Sequence, residues 1–144
     1  MELVEYITMQ LSERYRCFIL CGAGLTGKSN RIKQEADHFG GRYIDVLDFF
    51  SENTDLSVET TRPEKLFRLF KLEEKSLIVF DNIDFLFCMW TENQQREFIR
   101  RLDMKSNGSC IVAVMHNYKL LEEEGLMKKG NRGQKRIVNI ADFM

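Results

Sequence analysis

The chain has 144 residues, of which 21 are basic and 22 acidic, for a formal charge of -1, and its apolar share of 44% is that of an ordinary globular protein. This length supports one core without disulfides or a structural metal, and nothing in the overall charge points to a polyanion partner. No apolar run reaches the roughly 18 to 20 residues of a membrane-crossing helix, and the start, Met1-Glu2-Leu3-Val4-Glu5, lacks a basic region followed by an apolar one, so a soluble cytoplasmic protein is expected.

Residues 3–15 carry Leu3, Ile7 and Leu11 at a spacing of four, with Tyr6 beside Ile7, which predicts an amphipathic helix packed on the edge of the core. Residues 16–21 form a short apolar run that stops at a glycine cluster, as a buried parallel strand would. The pattern turns helical over 28–39 and ends at Gly40-Gly41. Residues 42–46 suit a second strand, 51–61 a polar loop, and Pro63 the first turn of a helix, where its missing amide proton costs little. The clearest strand, 76–80, runs directly into Asp81.

A helix is predicted over 91–102, capped by Thr91, with Phe98, Ile99 and Leu102 on one side. After the break at Ser106-Asn107-Gly108, a fourth strand spans 110–115, a further helix about 118–127, and a last strand 136–140. Strands alternating with helices imply right-handed crossovers and a parallel sheet with helices on both faces, in a single domain over 1–144. Cys17, Cys21, Cys88 and Cys110 have no C-x-x-C pairing, and His38 and His116 are isolated, so the cysteines read as reduced core residues.

Gly22-Ala23-Gly24-Leu25-Thr26-Gly27-Lys28-Ser29 fits G-x-x-x-x-G-K-[ST] at every fixed position. Glycines let the backbone curl around phosphates with its amides inward, the following helix presents its positive end, and Lys28 supplies a point charge at the β and γ phosphates. Ser29 is then the magnesium ligand, and ATP and Mg2+ are the expected cofactors. A random chain of this length matches the pattern on the order of once in a few hundred, and here it falls between a predicted strand and a predicted helix. A carboxylate at the end of a neighbouring strand is also needed to hold a magnesium water; Asp81, after Leu77-Ile78-Val79-Phe80, supplies it.

With these two motifs, residues 18–140 resemble the additional-strand branch of P-loop NTPases, the AAA+ and STAND-type ATPases. The resemblance implies a three-layer sandwich around a five-stranded parallel sheet of order 5-1-4-3-2. It implies that Asn117 takes the place of the polar sensor on the fourth strand, and that Arg132 or Arg136 reaches a neighbouring subunit's γ phosphate. The chain departs from the family in two ways. Asn82 stands where a water-activating Glu usually follows the Walker B Asp, with Asp84 the next acid, and the helical lid that carries a second sensor arginine is expected to be missing. A bare core of this size is similar to the BrxF family of small P-loop proteins in type 3 BREX phage-defence systems, which implies larger BREX proteins as partners.

Lys128, Lys129, Arg132, Lys135 and Arg136 fall in one acid-free segment that reads either as a DNA-phosphate or partner-nucleotide contact or as a solvated turn. The apolar stretch 85–90 reads as core or as a docking patch around Trp90. Leu66, Phe67, Leu69 and Phe70 read as a partner groove or, as their spacing suits, one buried helix face, and His116 as a sensor of nucleotide state or a packed, hydrogen-bonded histidine. Three functions are compatible with these features. The first is an ATPase switch whose binding of ATP drives self-association or partner binding, with weak turnover stimulated by assembly. The second is a non-hydrolysing nucleotide-binding adaptor, Asn82 marking the lost catalysis. The third, a small-molecule kinase, is disfavoured by Leu25 where such enzymes use glycine and by Arg96, Arg100 and Arg101 lying in a regular helix rather than a lid.

Overall fold

The computed structural model describes residues 1–22, 27–70, 72 and 75–143. Five strands, β1 (Phe18–Cys21), β2 (Arg42–Asp45), β3 (Leu77–Asp81), β4 (Cys110–Met115) and β5 (Ile137–Asn139), form one sheet. Its order is β2-β3-β4-β1-β5, and every pairing is parallel. This is the expected order, 5-1-4-3-2 read from the other edge. The consequence for any ligand is that β1 and β3 flank β4, so their C-terminal ends lie two strand spacings apart, about 10 Å.

Alternation along the central strands builds two cores. Ile19, Cys21, Ile78, Phe80, Ile111, Ala113 and Met115 face one side and Phe18, Leu20, Leu77, Val79, Cys110, Val112 and Val114 the other. The second side is covered by α1 (Leu3–Leu11) through Leu3, Tyr6 and Ile7, and by α2 (Lys28–His38) through Ile32 and Ala36. The first side is covered by α3 (Val46–Glu52), α4 (Pro63–Leu69), α5 (Asp84–Met89) and α6 (Glu92–Met104). Three layers therefore enclose strands that are apolar on both faces. Gly41, between α2 and β2, is fixed by close approach: a Cβ there would lie 2.6 Å from the Leu77 carbonyl oxygen.

Thr91 caps α6 as expected, in a reciprocal box with Gln94. Leu66 and Phe70 are buried, and Phe67 and Leu69 pack partly buried against the same core. Trp90 is core too, its indole donating to the Thr61 carbonyl at 2.7 Å. Several expectations are corrected. Val46 begins α3 rather than ending β2, because Asp45 accepts from the Asp48 amide and caps a new helix. Residues 118–127 hold only a short 3-10 turn, Lys119–Glu122, followed by irregular backbone. Cys88 is exposed, unlike Cys17, Cys21 and Cys110. No helix among the described residues is long and apolar enough to cross a membrane.

Candidate functional site

The C-terminal edge of the sheet gathers most of the predicted site. β1 ends at Cys21, buried Gly22 follows, and α2 begins at Lys28, so the segment that carries the Walker A pattern joins a central strand to a helix N-terminus. Gly27 occupies the N-cap at φ +74° with open space where a Cβ would sit; its backbone conformation, rather than crowding, is what favours glycine. Lys28 is 8% exposed, and Ser29 is half-buried in the first turn of α2. Ala23, Gly24, Leu25 and Thr26 lie outside the described residues. Arg31 fastens this helix to the end of the chain by donating to the Phe143 carbonyl at 3.2 Å.

Asp81 is the last residue of β3 and only 2% exposed. Tyr43 of β2 donates its hydroxyl to Asp81 Oδ2, and the Asn82 amide donates to Oδ1 at 2.8 Å. A carboxylate has about four acceptor positions, so both contacts leave capacity for a bound water. Burial, and then the hydrogen bond to Asp81, push the Tyr43 hydroxyl above the usual tyrosine range. Asn82 has a positive φ of 56°, which asparagine tolerates better than most residues, and its side-chain amide donates to Asp45 Oδ2 at 2.9 Å. Asn82 thus joins the ends of β2 and β3.

Asp84, the next acid after Asn82, opens α5 and binds across the edge. Its Oδ1 accepts from the His116 amide at 2.9 Å and the Tyr118 hydroxyl at 2.6 Å, while Oδ2 lies 3.6 Å from His116 Nε2. Burial, then the Asp84 contact, raise the Tyr118 hydroxyl well above its usual range. His116 is not packed as expected; its side chain is about half exposed (49%) beside Asp84. Asn117 follows β4, and its Oδ1 accepts from Asn139 Nδ2 at 3.4 Å. Since β1 lies between β4 and β5, this pair spans the strand that leads into the segment 22–29.

The two arginines expected to reach a neighbour part company. Arg136 is 2% exposed; its guanidinium donates to Asp103 Oδ1 at 2.7 Å and to the Cys17 carbonyl at 2.9 Å. A side chain so held cannot project to another subunit, and that assignment is corrected: Arg136 is a buried ion pair tying β5 to the end of α6. Arg132 is exposed, in a loop beside Glu5, Thr8 and Ser12 of the N-terminal segment. Lys128, Lys129 and Lys135 are exposed as well.

Sequence reasoning missed Tyr43, Asp45 and Asn139, whose partners are 38, 37 and 22 residues away. Among the described residues no cluster of three or more His, Cys, Asp or Glu side chains is arranged to hold a metal alone. Magnesium needs no such cluster, since it keeps several waters and takes other ligands from substrate phosphates. No protein-family model matches the chain, and no curated protein matches it either.

Proposed function

We propose that the chain binds ATP with Mg2+ at the C-terminal edge of its sheet and works as a nucleotide-dependent switch. The observation that carries this reading is the pairing of a G-x-x-x-x-G-K-S segment between β1 and α2 with a buried strand-end Asp81 one strand beyond β4. In this reading the residues 22–29 cradle the phosphates, Lys28 balances their charge, and Ser29 and Asp81 hold the magnesium, Asp81 through water. Bound magnesium would neutralise charge on the β and γ phosphates. Asn117, positioned by Asn139, reports the state of the γ phosphate. Binding of ATP promotes self-association or docking on larger partners, in keeping with the resemblance to BREX phage-defence proteins and other DNA-associated P-loop ATPases. Arg132 is the exposed arginine available to a neighbour's nucleotide.

A non-hydrolysing adaptor is favoured by two observations: Asn82 is committed to Asp45, and Asp84 Oδ1 already accepts from two donors. ATP turnover measured beside size-exclusion chromatography separates the two. ATP-driven assembly with turnover supports the switch, assembly without turnover supports the adaptor, and absence of both contradicts each.

A further inference from the structure

Basic residues cluster in parts of this nearly neutral chain. Three segments, 12–17, 104–109 and 128–136, hold eight of the 21 basic residues, and their one acid is Glu13. They precede β1, β4 and β5, so they meet at the N-terminal edge of the sheet, opposite the candidate nucleotide site. Glu13 is buried and accepts from the Asn131 amide at 2.7 Å; nearby Asp103 is buried against Arg136. Both of these negative charges are therefore spent inside. Glu5 borders Arg132, and Glu122, Glu123 and Glu124 line a cavity with Lys129 and Lys135, so the acid-free part of the edge is the one around Arg14, Tyr15, Arg16 and Lys128. Arg14, Arg16, Lys105, Lys128, Lys129, Arg132 and Lys135 reach solvent.

The segments are tied together, so the charges are held in place. Lys128 Nζ lies 4.1 Å above the Tyr15 ring centre and the Arg14 guanidinium 5.3 Å from it, which gathers two cations on one aromatic. The Lys128 amide donates to Asp103 Oδ1 at 2.9 Å, and Gln134 donates to Gln10 at 2.8 Å. Burial raises the Cys17 thiol, and Lys105, Arg136 and Arg16 lie close enough to oppose part of that rise.

We propose that this edge, centred on Tyr15, binds the phosphate backbone of a nucleic acid without sequence preference. Positive charges fixed on ordered loops, interleaved with Ser106, Asn107 and Asn131, match a row of phosphates and sugars. A membrane surface fits less well, because interfacial binding inserts apolar side chains. Among the described residues the exposed large apolar side chains are Met1, Leu47, Met89 and Met104, and only Met104 borders these loops. Apart from Arg132, to which a role at a neighbour's nucleotide is assigned above, the edge is separate from the proposed nucleotide site and does not require it.

The test is fluorescence anisotropy with a labelled mixed-sequence DNA duplex and its single strand, without ATP, over a salt series. Wild type should bind at low salt, with affinity falling by a log–log slope of about -3 to -5, as for roughly four or five phosphates. Arg14→Ser/Lys128→Ser should lower that slope by about two and weaken binding at least tenfold, while Lys28→Ala and the distant Arg62→Ser change it less than twofold. Circular dichroism checks that each variant is folded; Lys129→Ser alone, expected to lower the slope by about one, serves if the double variant is not. No binding by wild type at low salt, equal loss in Arg62→Ser, or tighter binding to phosphatidylserine vesicles than to DNA would each overturn the proposal.

Discussion

Tyr43 and Asp81 sit on neighbouring strands offset by two residues in register, and the Tyr43 hydroxyl donates to the buried Asp81 carboxylate. A charge held at 2% exposure needs such donors, because an unpaired buried carboxylate loses its hydration without replacement. Tyr43→Phe should therefore lower stability by about 1.5 to 3 kcal/mol, the range for a hydrogen bond to a charged group. In an Asp81→Asn background the same substitution should cost clearly less. Urea denaturation of the four proteins in that cycle gives the coupling, and equal costs in both backgrounds would remove the Tyr43–Asp81 bond as the cause.

Arg136 and Asp103 form a buried pair at 2.7 Å. Arg136→Ala strands the partner charge and should destabilise by about 3 to 5 kcal/mol, whereas Arg132→Ala, on the surface, should stay within about 0.5 kcal/mol. The unfolding midpoints of the two variants check the contrast.

Asp84 offers a separation of positioning from proton transfer. Asp84→Ala should free the His116–Tyr118 turn and reduce both stability and any turnover. Asp84→Asn keeps an acceptor for the His116 amide and Tyr118 hydroxyl, so it should recover most of the stability while turnover stays low if the carboxylate takes a proton. Full turnover in folded Asp84→Asn would make Asp84 a positioning residue only.

Alkaline pH should weaken the fold through Tyr6. Its hydroxyl is buried, donates to the Lys135 carbonyl at 2.6 Å, and is raised well above the usual tyrosine value, burial being the main cause. The unfolded chain releases this proton near pH 10 and the folded chain only higher, so the contribution is complete below about pH 10 and is lost as pH rises beyond it. Denaturation midpoints between about pH 8 and 11 should fall less steeply in Tyr6→Phe than in wild type.

The sheet was legible because each central strand is an apolar run bounded by breakers, and its order came with the family resemblance once the two motifs were recognised. Helix α3 was not, since Val46, Leu47, Phe49 and Phe50 continue the apolar run of β2 and hide Asp45 as a cap. Residues 118–127 carry helix-forming Leu and Glu, yet Tyr118 is drawn to Asp84 and Gly125 adopts a positive φ of 75°, which competes with a regular helix. Lys28 and Asp81 were singled out by motif, Asn117 by the family resemblance, and Asp84 as the next acid after Asn82. The side chains that bond to Asp81, Asn82 and Asn117, namely Tyr43, Asp45 and Asn139, were invisible because their partnerships exist only after distant strands pair. Arg136 shows the converse: a basic run reads as surface until the fold places one member beside Asp103.

The central claim is that the residues around Lys28 hold the phosphates of Mg-ATP, and isothermal titration calorimetry tests it most directly. Wild type titrated with ATP should bind more tightly with Mg2+ than with EDTA, and Lys28→Ala, folded by circular dichroism, should lose on the order of 1.5 to 3 kcal/mol of binding free energy, about ten- to a hundredfold in affinity. Undiminished affinity in folded Lys28→Ala, or no ATP binding by wild type, would contradict the claim.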